Sequence, residues 1–220
     1  MRLLIVIYTL VFSLFSATVL VAKEPPNLAE AKASIIKYHD SGEYERDIEK
    51  VIADAMRYLK LCLEKGIPKG KKPAIILDVD ETSLSNYADM LEMNFGGTNQ
   101  QVQEAEMKGT DRGIKPTLKL YRFAKDNKVA VFFITGRKEV ERTATIKNLQ
   151  QVGYQGWDGL IMRDAEHDHD SAVLYKSAAR EKIEKQGYNI LLNVGDQQSD
   201  LKGPHSGKRF KLPGPFYLIK

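Results

Sequence analysis

Three short apolar runs, each followed by polar residues, constrain the fold of this chain more than any other feature. They span Ala74 to Leu77, Val129 to Ile134 and Ile190 to Val194. Continuous apolar runs of this length are typical of strands that are buried on both faces of a parallel sheet. A further short strand is predicted at Gly159 to Met162, and an edge strand is predicted at Pro215 to Ile219, after a proline.

Helical patterns separate these runs. Helices are predicted at Leu28 to His39, Tyr44 to Glu64, Leu118 to Asp126, Glu139 to Gln151 and Lys176 to Gln186. Strands that alternate with helices indicate an α/β fold, here a Rossmann-like parallel sheet flanked by helices. Ligands of such folds bind at the carboxyl ends of the strands, where the polar residues of this chain follow the apolar runs.

The stretch from residue 83 to residue 115 has no strong apolar period and is longer than a usual connection. It is rich in Asn, Gln, Gly and Met, and it follows the first strand. We predict a small helical cap, inserted after the first strand and lying over the carboxyl ends of the strands. An ordered surface loop is the alternative.

The N-terminus has the pattern of an export signal. Arg2 precedes an uncharged stretch from Leu3 to Ala22. We predict cleavage after Ala22, a folded domain over residues 23–220, and a periplasmic or secreted protein without stable membrane insertion. An uncleaved anchor is the alternative, since about 20 apolar residues can span a bilayer. Cys62 is the one cysteine of the chain and lies far from this segment, so a lipoprotein is not expected.

Composition excludes several classes of function. The 33 Lys and Arg against 29 Asp and Glu leave a net charge of +4, too weak and too evenly spread to predict a nucleic acid polymer as partner. A single cysteine excludes an intramolecular disulfide framework and a cysteine-built zinc site. Walker, G-x-S-x-G and G-x-G-x-x-G motifs do not occur in the sequence, so P-loop, serine-hydrolase and dinucleotide-binding functions lack their motif.

Carboxylates follow two of the predicted strands. Asp78 and Asp80 stand two residues apart, on one face of extended backbone, after the first strand. Such a pair can bind a hard divalent cation through oxygen, or divide into one ionised and one protonated acid. A solvated acidic turn and a calcium loop are the alternatives, although the calcium loop would need Gly in place of Ser83. Asp196 and Asp200 follow the third run, and four carboxylates so placed would repel one another without a cation.

Groups that bind anions follow the other strand ends. Thr135, with the backbone amides of Gly136 and Arg137 at the start of the next helix, could hold an anionic oxygen. Lys176, at a predicted helix start, offers a positive charge to the same anion. A nucleophile, a general acid, a cation, a hydroxyl and a lysine together fit phosphoryl transfer.

These residues fall into four segments, namely Asp78-Val79-Asp80-Glu81-Thr82, Thr135-Gly136-Arg137, Lys176 and Gly195-Asp196-Gln197-Gln198-Ser199-Asp200. In that order they resemble the four motifs of the haloacid dehalogenase-like (HAD) superfamily. The closer similarity, carried by Leu77 to Leu84, Tyr175-Lys176-Ser177 and Phe210-Lys211-Leu212-Pro213, is to the secreted acid phosphatases. That group includes bacterial lipoprotein acid phosphatases and plant vegetative storage proteins.

The resemblance implies a role for each catalytic residue. Asp78 would be the nucleophile that forms an aspartyl-phosphate. Asp80 would protonate the leaving oxygen and later activate water. Thr135, Gly136 and Lys176 would bind the phosphoryl group.

The resemblance also implies a metal. Asp196 would hold Mg²⁺ together with the Asp78 carboxylate and the Asp80 backbone carbonyl, and Asp200 would support them. The implied function is a magnesium-dependent acid phosphatase that acts on small phosphomonoesters, with nucleotides as the first candidates. Two aromatic residues of the predicted cap, Tyr87 and Phe95, are candidates for stacking on a base or an aromatic leaving group.

Two other functions stay open at this point. One is a phosphotransferase that passes the phosphoryl group to an alcohol instead of water. The other is a non-catalytic storage or binding protein on the same fold. Relatives that lose activity tend to lose the nucleophile, and Asp78 is intact here.

Overall fold

The computed structural model describes residues 23–167 and 169–219, so the predicted export signal at residues 1–22 lies outside the described residues. The strands are β1 Lys72–Leu77, β2 Leu84–Ser85, β3 Arg112–Gly113, β4 Ala130–Lys138, β5 Gly159–Arg163, β6 Tyr188–Gly195 and β7 Lys208–Lys211. The helices are α1 Leu28–Asp40, α2 Glu43–Lys65, α3 Tyr87–Glu92, α4 Asn99–Glu106, α5 Lys115–Asp126, α6 Arg142–Gln151, α7 Ala172–Lys185 and α8 Gln198–Leu201.

Five strands form one parallel sheet in the order β5-β4-β1-β6-β7, which confirms the predicted α/β fold. The strand β1 lies in the centre, where Ile76 pairs with Phe132 of β4 and with Asn193 of β6. Because the three strands run in the same direction, their carboxyl ends meet at one edge of the sheet. The polar residues at the carboxyl ends of β1, β4 and β6 are therefore brought together there.

Helices cover both faces of the sheet. The side chains of Ile75 and Leu77 pack in the cluster that includes residues of α2 and α5, whereas Ala74 and Ile76 pack in the cluster that includes residues of α7. None of the four is more than 2% exposed. Burial on both faces explains why the strand is a continuous apolar run without the alternation of a half-exposed strand.

The edge strand predicted at residues 215–219 is wrong. The edge strand is β7, which pairs in parallel with residues 192–195 of β6. The amide of Leu212 still donates to the carbonyl of Gly195, but Pro213 and Pro215 have no N–H to continue the ladder. Exposed Lys and Arg side chains on β7 are typical of sheet edges, since such charges oppose pairing with other chains.

The connection between β1 and α5 carries two short helices, α3 and α4, and a two-stranded ribbon in which Leu84 of β2 pairs with Gly113 of β3. Thr98 begins α4 with a capping box, since its hydroxyl accepts the amide of Gln101 while the Gln101 side chain accepts the amide of Thr98. In the part of the chain that the structure describes, no helix is both long enough and apolar enough to cross a membrane.

Candidate active site

Three carboxylates meet at the carboxyl edge of the sheet. Asp78 directly follows β1, Asp196 directly follows β6, and Asp200 lies in α8. One oxygen of each lies within 4.8 Å of the others, and all three residues are buried. Gly195 permits this approach, because a Cβ atom at that position would stand 2.4 Å from Cβ of Asp200.

Lys176 joins two of these acids. Its Nζ donates to Oδ1 of Asp78 at 2.6 Å and to Oδ1 of Asp200 at 2.6 Å. Ser171 caps α7 by accepting the amide of Leu174, so Lys176 lies in the second turn and not at the helix start predicted from the sequence. Burial lowers the pKa of Lys176, but the two carboxylates raise it by more, so the ammonium stays charged.

The three carboxylates fit a hard divalent cation. Oδ2 of Asp196 accepts from Nε2 of Gln197 at 2.6 Å, whereas Oδ1 is buried and no donor among the described residues reaches it. An unpartnered buried carboxylate oxygen is costly unless a cation faces it. An all-oxygen donor set is the kind that magnesium and calcium prefer. The carboxylate of Asp80 takes no part in this group, so the predicted contribution of that residue is limited to its backbone carbonyl.

Burial also controls the ionisation of these acids. Burial raises the pKa of Asp78 to about 7, against the opposing effect of Lys176 and with the help of the Asp200 and Asp80 charges. Burial likewise raises the pKa of Asp196 well above its ordinary value, and the Asp78 and Asp200 charges add to the effect. A bound divalent cation would lower both pKa values, since it favours the charged forms.

Asp80 turns away from the other acids and binds Arg137. Nη2 and Nε of Arg137 donate to Oδ1 of Asp80 at 2.7 and 3.0 Å. Nδ2 of the Asn86 side chain donates to the same oxygen at 2.9 Å, and the hydroxyl of Thr135 donates to Oδ2 at 3.3 Å. Burial raises the pKa of Asp80, but the Arg137 guanidinium opposes it strongly, and the resulting pKa lies below the usual range.

Arg137 also ties two carboxyl groups of the segment before α5 to the sheet. Its Nη2 donates to Oδ2 of Asp111 at 3.0 Å, and its Nε lies 3.9 Å from Oε1 of Glu106. Burial raises the pKa of Glu106 to about 10, assisted by Asp80 and the neighbouring carboxyl of Glu141, and raises that of Asp111 to about 6. Sequence reasoning missed these contacts. The one available signal was the guanidinium within the Thr135-Gly136-Arg137 segment, because a buried guanidinium requires an acidic partner.

The geometry around Thr135 differs from the prediction. The strand β4 continues through Lys138, and a 3-10 turn at Glu139–Glu141 separates it from α6. The amides of Gly136 and Arg137 therefore do not open a helix, and the amide of Arg137 donates to Oγ1 of Thr135 at 3.1 Å. Gly136 faces free space, since a Cβ atom there would meet nothing within 4 Å. The backbone for which a helix N-terminus was predicted is thus an extended strand end with an open glycine.

Glu81, another buried acid, holds the turn after Asp80 in place. Glu81 has a φ angle of 49°, and its carboxylate accepts the hydroxyl of Tyr44 at 2.5 Å and the amide of Asn86 at 2.5 Å. Tyr44 belongs to α2, so the turn is fixed to a helix that precedes the sheet in the chain. Burial raises the pKa of Glu81 to about 7.

A cavity of about 1120 Å³ opens above the acids. Its floor includes Asp78, Asp80 and Lys176, and its side walls come from residues 90–106 and 216–219. The cavity is large enough for a small organic ester beyond the group that reacts.

The structure separates the two aromatic residues predicted to contact substrate. Phe95 lines the cavity, and its ring centroid lies 6.2 Å from that of Phe216 on the opposite segment. Tyr87 is buried instead, where it stacks on His39 with ring centroids 3.3 Å apart and donates its hydroxyl to Asp40 at 3.1 Å. Tyr87 and the buried Phe216 therefore support the wall, whereas the partly exposed Phe95 faces the cavity.

Known proteins share this sequence pattern and fold. The family described as HAD superfamily, subfamily IIIB (Acid phosphatase), matches residues 14–220. Acid phosphatase 1 of Solanum lycopersicum is 32% identical over 197 residues, which are 87% of this chain and 76% of the relative. Vegetative storage protein 1 of Arabidopsis thaliana is 30% identical over 197 residues, 87% of this chain and 71% of the relative. The class C acid phosphatase from Bacillus anthracis has the same fold, with a TM-score of 0.72, 22% identity and coverage of 87% of this chain and 86% of that one.

Proposed function

This chain belongs to the acid phosphatases of HAD superfamily subfamily IIIB, and from that premise we propose that it is a magnesium-dependent enzyme that hydrolyses small phosphomonoesters through an aspartyl-phosphate. The observation that carries the proposal is the buried group of Asp78, Asp196 and Asp200 with Lys176 bonded to two of them. It combines a carboxylate nucleophile, a cation site and a fixed positive charge at one strand edge.

Magnesium would be held by the carboxylates of Asp78 and Asp196 and the backbone carbonyl of Asp80, with Asp200 in support. When bound, the cation supplies positive charge that neutralises the phosphoryl oxygens and keeps the carboxylates ionised. The unpartnered Oδ1 of Asp196 supports this assignment. Thr135, Gly136 and Lys176 would orient the phosphoryl group, with the open face of Gly136 leaving room for its oxygens.

Hydrolysis would proceed in two displacements. An oxygen of Asp78 attacks phosphorus, the ester P–O bond breaks, and Asp80 gives its proton to the leaving oxygen. Asp80 then takes a proton from a water molecule that attacks phosphorus, which releases phosphate and restores the Asp78 carboxylate. The hydrogen bonds from Arg137 and Asn86 hold Asp80 apart from the cation ligands. Because Arg137 also lowers the pKa of Asp80, the protonated acid that the first displacement needs is populated only at acidic pH.

The cavity favours nucleotides among the phosphomonoesters. Phe95 is partly exposed and offers an apolar face for a base, and the buried ring of Phe216 packs against it. Oδ1 of Asn86 is a buried acceptor that lacks a donor among the described residues, and Asn86 lines the cavity. A ribose hydroxyl group is a donor that would satisfy it.

The storage or binding alternative keeps one observation in its favour, the likeness to a vegetative storage protein. The intact nucleophile Asp78 and its Lys176 partner favour the enzyme. Phosphotransfer to an alcohol would use the same residues and differs only in the acceptor of the second displacement.

We also propose that the protein is exported, from the charge pattern of residues 1–22.

A panel of phosphomonoesters tests the function. Ribonucleotides, 2′-deoxyribonucleotides, an aryl phosphate and glycerol phosphate are assayed with Mg²⁺ and after exhaustive chelation, with alcohol added in a parallel set. The expected result is phosphate release that needs Mg²⁺ and is best on ribonucleotides. A wild-type protein that binds Mg²⁺ and releases no phosphate from any ester would favour the storage alternative, and phosphoryl transfer to the added alcohol in preference to water would favour the phosphotransferase.

A further inference from the structure

A buried arginine outside the catalytic motifs donates hydrogen bonds to the loop that carries Asp200. Arg180 is 1% exposed and is the largest side chain among those that are fully buried in the described chain. Its donors reach the carbonyl oxygens of Asp200 at 2.8 Å, Lys202 at 2.6 Å and Pro204 at 3.2 Å. Nη2 also donates to Oγ of Ser177 at 3.0 Å.

Arg180 stands one helical turn after Lys176, on the same face of α7. The two side chains bind Asp200 from opposite ends of that residue. Lys176 donates to its carboxylate at 2.6 Å, whereas Nη1 of Arg180 donates to its carbonyl at 2.8 Å. The side chain and the main chain of Asp200 are therefore both fixed by one rigid helix.

The loop after Asp200 fits closely around the guanidinium. Gly203 has a φ angle of 85°, and a Cβ atom there would stand 2.1 Å from Oγ of Ser177 and 3.5 Å from Nη2 of Arg180. On the far side, Nδ2 of Asn193 donates to the same Asp200 carbonyl at 2.8 Å. A residue with a Cβ atom at position 203 would push the loop away from α7.

The contacts of Arg180 require a guanidinium. Its hydrogen bonds go to carbonyl oxygens and one hydroxyl, and among the contacts of the described residues none goes to a carboxylate. A buried cation without a paired carboxylate is costly. The planar fork reaches several oxygens in fixed directions, which the single nitrogen of a lysine cannot do. The free-energy cost of burying Arg180 without a carboxylate partner is accounted for if its hydrogen bonds are needed to hold the loop in one geometry.

We propose that Arg180 is a positioning residue, which fixes the Asp200 loop against α7 and so sets the distances among Asp200, Lys176 and the cation ligands. The inference rests on the proposed function for the identity of the cation. It assigns to Arg180 no contact with substrate. The backbone amide of Gln197 donates to Oδ2 of Asp200 at 2.7 Å. If the loop moved, this hydrogen bond would be lost.

The test compares Arg180→Lys and Arg180→Ala with Arg209→Lys. Arg209 is a matched control, since its Nη2 donates to the carbonyl of Gly203 in the same loop at 2.8 Å but its side chain is exposed. Two quantities are measured in the full-length protein without substrate. They are the Mg²⁺ dissociation constant by calorimetry, and the hydrogen-exchange rate of the Gln197 amide in metal-free protein.

Arg180→Lys is expected to weaken Mg²⁺ binding about 10- to 100-fold, the usual cost of losing a residue that orients a metal ligand. The Gln197 amide is expected to exchange at least about 10-fold faster, and Arg209→Lys is expected to change neither quantity. Guanidinium ion added to Arg180→Ala should restore both, whereas methylammonium at the same concentration should not.

Wild-type Mg²⁺ affinity and wild-type Gln197 exchange in a folded Arg180→Lys protein would overturn the proposal. Failure of both Arg180 variants to fold would overturn it too, since the residue would then act on global stability alone. These outcomes are separate from those of the function, because a wild-type protein that hydrolyses no ester can still be compared with its variants in Mg²⁺ binding and amide exchange.

Discussion

Nζ of Lys176 lies 2.6 Å from Oδ1 of Asp78, although 98 residues separate the two in the sequence. The contact brings a helix on one face of the sheet to the end of the central strand. Both side chains are buried, so the pair has little water to compete with it. The ammonium offsets part of the repulsion among the carboxylates before any cation binds.

Lys176→Met should lower both the turnover rate and the free energy of unfolding. The loss of the ammonium leaves buried carboxylates without their partner, which typically costs about 3–5 kcal/mol. Turnover should fall at least about 100-fold, since a fixed charge on the phosphoryl group is lost. Thermal unfolding in chelator and phosphate release measure the two effects. Lys202→Met is the control, because Lys202 is exposed. An unchanged unfolding midpoint for Lys176→Met would contradict a stabilising role for the buried Lys176–Asp78 pair.

Arg137→Lys should move the falling limb of the pH–rate profile to higher pH. Asp80 must be protonated to assist the leaving group, so turnover is lost as the pH rises through its pKa. Arg137 lowers that pKa, and the loss of its fork should let the pKa rise. The logarithm of kcat/KM against pH measures the shift. Arg142→Lys, an arginine paired with Glu139 at the surface, should leave the limb in place. An unshifted limb for Arg137→Lys would remove Asp80 as the acid that the profile reports.

In chelator the protein should be more stable in mild acid than above neutral pH. Burial raises the pKa of Asp78 and of Glu81 to about 7, and that of Asp111 to about 6, so the folded state holds protons that the unfolded state has released. Stability is therefore greatest below the unfolded pKa values and is lost as the pH rises to about 7, by up to about 1.36 kcal/mol per pH unit for each proton. Asp80 affects stability in the opposite direction, because its pKa is lowered in the folded state. Its stabilising contribution is lost only as the pH falls through that lowered pKa.

Thermal midpoints between pH 5 and pH 8 measure this dependence. Saturating Mg²⁺ should flatten it, because the cation keeps Asp78 ionised in the folded state. Glu81→Gln should flatten it as well by removing one of the titrating groups. A midpoint in chelator that rises from pH 5 to pH 8 would contradict the account.

Local sequence patterns predicted most of the sheet. The runs around Ile76, Phe133 and Leu192 are apolar over several residues because both faces of the sheet are covered, and that requirement is visible without a structure. The C-terminal strand was harder to predict. The segment that pairs at the edge, residues 208–211, is charged because it is an edge, so its sequence is typical of a solvated run as well.

Contacts between distant segments account for what the sequence could not predict. Asp80 follows β1 and Thr135 lies towards the carboxyl end of β4, so the two could be placed at one edge from topology alone. The partners of Arg137, by contrast, come from a cap with no strong apolar period, and nothing in the sequence marks Asp111 as one of them. The same holds for Arg180, since its partners are backbone carbonyls, which any sequence supplies.

Export can be tested by mass. The uncharged stretch from Leu3 to Ala22 after Arg2 predicts cleavage near Lys23 and a mature protein free of the membrane. Intact-mass measurement of protein from the exported fraction should give a chain that starts near Lys23. A full-length chain found in the membrane fraction would support the anchor in its place.

The most direct test of the central claim is the site of phosphorylation. Wild-type protein and Asp78→Asn are mixed with an aryl phosphate and Mg²⁺, quenched in acid and digested for mass spectrometry. Asn has the shape of Asp but is a far weaker nucleophile, so the variant should form no phosphoenzyme and release no phosphate. Its midpoint in chelator should equal or exceed that of the wild type, because one charge of a repelling cluster is gone. The account predicts a phosphoryl group on the wild-type peptide that contains Asp78 and none on the variant; turnover by Asp78→Asn at the wild-type rate would contradict it.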